Sequence, residues 1–403
     1  MNTFVFVRPR ALGLGVLAVA LTVAACGSST SSGSSGSGGS AGSGSSSTSA
    51  STAGSRGGAY DAAVAATTQA IKGTFKNVDP ASRPAAEDKS IVVISAGQAG
   101  DSSKIPSDAA VAAAKAIGWK VTLYDAKLNP ANFSPLVNQA VASGASGIIV
   151  DAIDCGAAQT AFQQANAKGI PVVAMAAFDC TDPLAGNAKT GVFSPGINYG
   201  LPGSDAAFDR SQGVNDANYI IASTHNSAKV MDVEDNEFVG LNYISQGFVG
   251  QLKASGGSKV ADVVKITAAD LGSGKLPAII QAALLRHPEA NWIKSPYGAA
   301  TLAGIEPALG GNPHHISVLG SEGSAAELDL MRKGLLTGVD ATSFPWFGWA
   351  AVDSLNSDFH GQKPLVSGIG LQMIDAKHNL PNSSGFSAPI DFISAYKTAW
   401  GVS

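Results

Sequence analysis

From residue 89 the chain alternates between short aliphatic runs and longer segments whose apolar residues recur at helical spacing. The run "KSIVVISAG" reads as a strand ending in glycine, and "PSDAAVAAAKAIG" as a helix with proline near its start and Gly118 as its stop. The strand "WKVTLYDA", the helix "NFSPLVNQAVASG", the strand "GIIVDAI", the helix "AAQTAFQQANAKG" and the strand "PVVAMAA" follow. These strands are continuously apolar rather than alternating, which marks burial on both faces and a parallel sheet covered by helices. A stretch rich in glycine and proline, "GVFSPGINYGLPGSDAAFDRSQG", interrupts the rhythm. Then "AKVMDVEDN", "VADVVKITAAD", "NWIKSPYG", "HISVLGSEG" and "TGVDATSF" read as strands, with "GLNYISQGFVGQLKASG", "KLPAIIQAALLRHP", "ATLAGIEPALGG" and "AAELDLMRKG" as helices between them. The pattern predicts an α/β protein of two doubly wound parallel-sheet lobes. Open parallel sheets bind ligands beyond the carboxyl ends of their strands, so both lobes are expected to aim those ends at one cleft.

The start of the chain is different in kind. Arg8 and Arg10 precede the apolar stretch "ALGLGVLAVALTVAA" at residues 11–25, which is short beside the roughly 20 residues of a membrane helix. A basic start, an apolar middle and small residues before a cut describe an export signal over residues 1–25. The tetrapeptide "VAAC" at 23–26 resembles the lipobox of bacterial lipoproteins, which implies lipidation of Cys26 and a place on the extracytoplasmic face of the cell membrane. Residues 26–58, rich in serine and glycine, have too little apolar surface to offset the entropy of ordering and read as a flexible tether with a reach of roughly 30 Å. Loss of the signal removes two arginines and no acid, leaving 24 basic and 30 acidic side chains. That balance gives no basic stripe for nucleic acid.

The stretch "AAKAIGWKVTLYDAKLNPANFSPLVNQAVASGASGIIVDAIDCGAAQTAFQQANAKGIPVV" resembles the type I periplasmic binding proteins of bacterial ABC importers, in their ribose- and galactose-binding branch. The segments "SQGFVGQLKA", "AGIEPALGG", "VLGSEG", "LLTGVDATSFP" and "AAVDSLNSDFHGQKP" extend the likeness in the same order. The resemblance implies a three-segment hinge crossing near Asn198, Phe344 and Pro364. Residues 59–198 with 345–363 would form the N-terminal lobe, and 199–344 with 364–403 the C-terminal lobe. It also implies a non-enzymatic monomer that needs no cofactor, closes on a small polar solute such as a sugar or polyol, and presents it to an ABC permease. A sensor that reports its ligand to a membrane receptor is the alternative.

The resemblance also suggests site residues. Asp154 of "DAID" stands where sugar-binding relatives place a hydroxyl-binding aspartate, with capping of the following helix as its rival role, and Glu322 of "LGSEG" where another carboxylate usually stands. Asn242 falls at a position often held by arginine, and Ser343 replaces a hinge glutamine. "GQAGD" offers Gln98 and Asp101 in place of a phenylalanine pair. Asp179 has helix capping or solvent as its rival role. Phe178, Tyr297 and Trp346 are candidates to stack on a ligand, each with core packing as the rival.

Two tripeptides, Ile153-Asp154-Cys155 and Phe178-Asp179-Cys180, close consecutive strands alike. Strands joined by a right-handed crossover usually lie about 4.8 Å apart, so Cys155 and Cys180 can meet in a disulfide. Closing a loop of about 26 residues would stabilise by roughly 3.5 kcal/mol. Free thiols remain open; a metal site lacks the short cysteine spacing and a nearby histidine. Other motifs lose their chemistry on inspection. "GGSAG" at 38–42 lacks a flanking strand and helix, "GSGKL" at 272–276 lacks the first glycine and the magnesium-binding hydroxyl, and His314-His315 has no ligand partner at zinc spacing.

Overall fold

The computed structural model describes residues 47–310 and 315–403, with side chains from residue 57 onward. The expected signal peptide, Cys26, "GGSAG" and His314 lie outside the described residues. Helix α1 (Ser47–Lys72) leads to β1 (Ser90–Ser95), α2 (Asp101–Ala116), β2 (Lys120–Asp125), α3 (Phe133–Ala142), β3 (Gly147–Asp151), α4 (Cys155–Ala167) and β4 (Val172–Met175). These strands form a parallel four-stranded sheet in the order β2-β1-β3-β4.

The chain continues through α5 (Ser204–Ser223), β5 (Lys229–Asp235), α6 (Val239–Ser255), β6 (Lys259–Ile266), α7 (Ala268–Gly272), α8 (Leu276–Arg286) and β7 (Trp292–Lys294). Next come α9 (Gly298–Ala300), α10 (Glu306–Leu309), β8 (Ser317–Gly320), α11 (Ala325–Arg332), β9 (Gly338–Thr342), α12 (Phe344–Phe359), β10 (Leu371–Asp375) and α13 (Phe392–Trp400). The second sheet has six strands in the order β10-β9-β8-β7-β5-β6, parallel except for β10 against β9.

Period-2 alternation divides each buried strand between two cores. Ile91, Val93 and Ile149 face α2 and α12, whereas Val92, Ile94, Ile148 and Val150 face Phe133 and Val137 of α3 and Phe162 of α4. In the second lobe Met231, Val233 and Ile293 face α8 and α11, while Val230, Trp292 and Leu319 face Ile220 and Phe248 of α5 and α6. Two covered sheets, and hence a two-lobed α/β fold, follow from the continuous apolar strands.

The ends of the chain depart from expectation. Helix α1 starts inside the range read as tether, because the alanine-rich run after Gly58 is a strong helix former and extension of an existing helix adds little cost. Residues 59–72, assigned by sequence to the first lobe, pack on the second: Ala63 and Ala70 lie against Ala217, Ile221 and Phe248. Residues 392–400, assigned to the second lobe, pack on the first, where Phe392, Tyr396 and Trp400 recur at i, i+4 and i+8 and face an aromatic stripe on α12. Trp346 stacks on Phe392 at 4.7 Å and Trp349 on Trp400 at 5.4 Å. Helix α5 begins at Ser204, inside the stretch read as an interruption, and α2 begins at Asp101, ahead of Pro106.

The connection between the lobes is layered. Asn198 bridges Val366 in parallel, its side chain donates to the Pro364 carbonyl, and Ser367 N–H donates to the Asn198 carbonyl. Alongside, Thr74, Lys76 and Asp79 donate backbone N–H groups to Leu371, Gly368 and Val366, adding an antiparallel segment.

Helices α5 and α6 meet backbone to backbone through one glycine each. A Cβ on Gly213 would lie 1.9 Å from the Ile244 carbonyl oxygen, and one on Gly247 would lie 2.2 Å from that of Arg210. Gly213→Ala is therefore expected to push the helices apart and destabilise the protein by about 1–3 kcal/mol, read as a lower urea midpoint. An unchanged midpoint would show that the crossing relaxes freely.

Candidate functional site

The carboxyl ends of both sheets open onto one cavity of about 200 Å³. The first lobe contributes Gly97, Gly100, Ser102 and Ser103 around the start of α2, with Ala152, Ala176 and Phe178 from the turns after β3 and β4. The second contributes Phe238, Leu241 and Ile244 at the start of α6, Pro296, Tyr297 and Ala299 after β7, and Ser321 and Glu322 after β8. Tyr199, Thr342, Phe344 and Phe347 close the hinge side, and α5 lays Asp205, Phe208, Asp209 and Gln212 along another wall. The α5 residues are spaced i, i+3, i+4 and i+7, so one helix face carries them all.

The repeated tripeptides of β3 and β4 resolve into a locked pair of turns. Cys155 and Cys180 form the disulfide, with α-carbons 5.0 Å apart. Asp154 accepts the Phe178 N–H at 2.8 Å, and Cys155 N–H donates back to the Phe178 carbonyl at 2.9 Å. Ala152 and Ala176, which line the cavity just before these turns, both hold left-handed φ values, 53° and 50°. Such backbone is sparsely populated by residues other than glycine and persists where the surroundings over-determine it.

Three contacts tie the lobes together across the cleft. Asp154 accepts the Val239 N–H at 3.0 Å and so caps the exposed amino end of α6 from the opposite lobe. The Tyr243 hydroxyl donates to both oxygens of Asp182 at 2.7 Å, and the Ser102 hydroxyl donates to Glu322 at 2.6 Å. These contacts make the arrangement a closed one.

Acids dominate the electrostatics, Glu322 and Glu327 buried and Asp205 and Asp209 half-buried. Burial pushes Asp205 up to about 7, with the charge of Asp182 adding to the shift and the Tyr199 hydroxyl opposing it. Asp209 is raised well above the usual carboxylate range by burial and by repulsion from Asp205 and Asp154. Glu322 is raised by burial and by Glu327. Glu327 itself is spent on structure: it accepts N–H groups of Ser321, Glu322 and Gly323 and so shapes the loop that presents Glu322.

Of the residues singled out from sequence, Phe178, Tyr297 and Glu322 line the cavity. Asp154 borders it with both oxygens committed to backbone N–H groups. Asp179 accepts from Thr181, Val192 and Phe193 N–H and stabilises its own loop. The Asn242 amide is turned back to the Phe238 and Asn236 carbonyls. Gln98 lies outside the lining, its amide nitrogen enclosed without a hydrogen-bond partner. Asp101 is the exposed first residue of α2, close enough to Glu322 to act on it through charge. Ser343 is buried at the N-cap of α12, and Trp346 is fully buried in the first lobe's core, because α13 covers the face a ligand would need.

Sequence reasoning missed the α5 wall altogether. The signal was present in "SDAAFDRSQG", where Asp205, Phe208, Asp209 and Gln212 share a helical face, but Gly200, Pro202 and Gly203 just before it masked the helix. Glu327 was also readable, as the last residue of the capping pattern Ser324-x-x-Glu327.

The family described as periplasmic binding protein domain matches residues 91–363. No curated protein matches the chain. Among solved structures, GanP, a glucose-galactose binding protein from Geobacillus stearothermophilus, is 16% identical with a TM-score of 0.61, covering 73% of this chain and 100% of that one. An ABC transporter solute binding protein from Agrobacterium vitis bound with α-D-tagatopyranose is 17% identical with a TM-score of 0.61, over 72% of this chain and 95% of that one. A periplasmic ribose ABC transporter protein from Conexibacter woesei is 19% identical with a TM-score of 0.54, over 76% and 91%.

The raised Asp205 sets a pH dependence. In the unfolded chain it ionises near ~4, whereas the folded protein keeps its proton up to about 7. Its contribution is thus complete below about pH 4 and is lost as pH rises towards about 7. Urea unfolding of wild type and Asp205→Asn is expected to show a shallower loss of stability between pH 4.5 and 7.5 in the variant; parallel curves would show that Asp205 titrates normally.

Proposed function

We propose that this chain, which belongs to the periplasmic binding protein family, is the extracytoplasmic, lipid-anchored substrate-binding protein of an ABC importer. It is a binding protein rather than an enzyme, and its task is to close two lobes around a small polar solute and present the closed form to a permease. The observation that carries this reading is the cavity between the carboxyl ends of the two sheets, with Asp154–Val239 and Ser102–Glu322 contacts at its rim. A ligand that touches both walls favours the closed state by its differential affinity, and the hinge segments absorb the rotation. The sugars named for the structural neighbours support a sugar or polyol as the solute class. Export and anchoring are supported by the basic-apolar-small pattern ending at Cys26. Among the described residues no helix is long and apolar enough to cross a membrane.

Thermal melting of the full chain against a library of sugars, polyols, nucleosides and organic amines tests the binding role, because a ligand at a hundred times its Kd adds about 2.7 kcal/mol. A hit is expected to lose its effect in Ala176→Trp, which fills the cavity, while the variant still melts cooperatively. A library without hits, or a hit indifferent to the filled cavity, would overturn the assignment of this cavity. For the anchor, Cys26→Ser is expected to move the exported protein from the membrane fraction to the soluble one. Retention in the membrane fraction would refute lipidation at Cys26.

A further inference from the structure

The cavity has an uneven chemistry that solute capture alone does not require. Asp205, Asp209 and Glu322 line it, and no Lys, Arg or His is among the described lining residues. The polar hydrogens of the wall are largely committed: Ser102 donates to Glu322, Gln212 to the Ser321 carbonyl and Tyr297 to Asp235. What remains for a guest is carboxyl oxygen and aromatic face. Tyr199 stacks on Phe208 at 4.6 Å, and Phe347 lies 6.0 Å from Tyr199 and 6.1 Å from Phe208. These rings stand beside the two α5 carboxyls, since Phe208 falls between Asp205 and Asp209 on the same helix face.

The charges that face these acids do not balance them. Asp209 faces Asp205, Asp154 and Arg210. The Arg210 guanidinium is engaged elsewhere, 4.2 Å from the centre of the Tyr243 ring and donating to Gln246. Among the described residues no hydrogen bond ends on the Asp209 carboxylate. Asp205 faces Asp182 and the Tyr199 hydroxyl, and Glu322 faces Glu327, Asp101 and Ser102. Asp205 and Asp209 are half-buried and Glu322 is buried; carboxylates withdrawn from water without positive partners are costly in proportion to that withdrawal, and an aromatic face attracts a cation held within about 6 Å of its centre. Among the described residues no group of three or more His, Cys, Asp or Glu is placed to hold a metal ion.

We propose that the solute of this cavity is an organic ammonium ion with an apolar or aromatic face, its charge seated at Asp205 and Asp209 and its face on Tyr199, Phe208 and Phe347. The proposal rests on the solute-capture reading and departs from a neutral sugar as the ligand. A neutral polyol would meet these oxygens without compensating their charge; an ammonium ion compensates it. Its arrival lets raised carboxyls ionise, so binding near pH 7 releases protons to the buffer.

Titration calorimetry on the full chain at pH 7 tests this with phenyltrimethylammonium, choline and phenethylammonium, set against benzyl alcohol, galactose and xylitol. Phenyltrimethylammonium has no ionisable proton, so a binding heat that differs between Tris and phosphate buffers reports the protein's own carboxyls. The expected result is binding of at least one ammonium ion with proton release, weakened by about tenfold or more in Asp209→Asn or Asp205→Asn. Circular dichroism and melting of both variants confirm that they fold. If galactose or xylitol binds and no ammonium ion does, the ligand class is wrong and solute capture stands. If an ammonium ion binds with the same affinity in both variants, the charge is not seated on α5 and the proposal fails. If neither class gives heat, the ammonium proposal fails, and failure of the wider melting library then removes the capture reading too.

Discussion

The carboxylate of Asp154, alongside the Tyr243–Asp182 and Ser102–Glu322 contacts, holds the two halves of the site in register. One oxygen fixes the Phe178 turn within its own lobe, and the other caps the first turn of α6 on the facing lobe. Both partners are backbone N–H groups, so the contact depends on where the main chain lies rather than on which side chains surround it. An amino end of a helix carries unsatisfied donors and partial positive charge, and a carboxylate reaching over from the other lobe satisfies them only when the cleft is shut. The disulfide between Cys155 and Cys180 stiffens the turn pair that carries Asp154. The latch is therefore mounted on a rigid bracket, and the cavity wall of Ala152, Ala176 and Phe178 is positioned with it.

Much of the fold was legible because buried parallel strands announce themselves. Ile91–Ile94 and Ile148–Val150 are apolar on both faces, and helical spacing with glycine stops marks what lies between. The disulfide was legible for the same reason: strands β3 and β4 are neighbours, so residues at similar distances past their ends can meet. The ends of the chain were not. Nothing local in "AYDAAVAATTQAIK" says which lobe its alanine face will meet, and the aromatic stripe of α13 finds its partner on α12 only after the chain has crossed back.

The site was less legible than the fold, for a physical reason. A polar residue at a strand end is equally suited to a ligand or to an unsatisfied backbone group nearby. Asp154, Asp179 and Asn242 are all committed to backbone partners, while Glu322 faces the cavity because Glu327 took the loop N–H groups instead. Trp346 shows the same competition for an aromatic ring: burial in a core wins where another ring, here Phe392, is available to cover it.

The exchanged terminal helices bear on how the molecule can move. Because α1 rides on one lobe and α13 on the other, the stretch 73–79 is zipped by backbone hydrogen bonds to 366–371 at the pivot. A free-swinging joint would have to unzip that ribbon, whereas a twist about the ribbon's own long axis leaves each bond intact. The seam thus favours rotation about its own axis over motions that would break its hydrogen bonds.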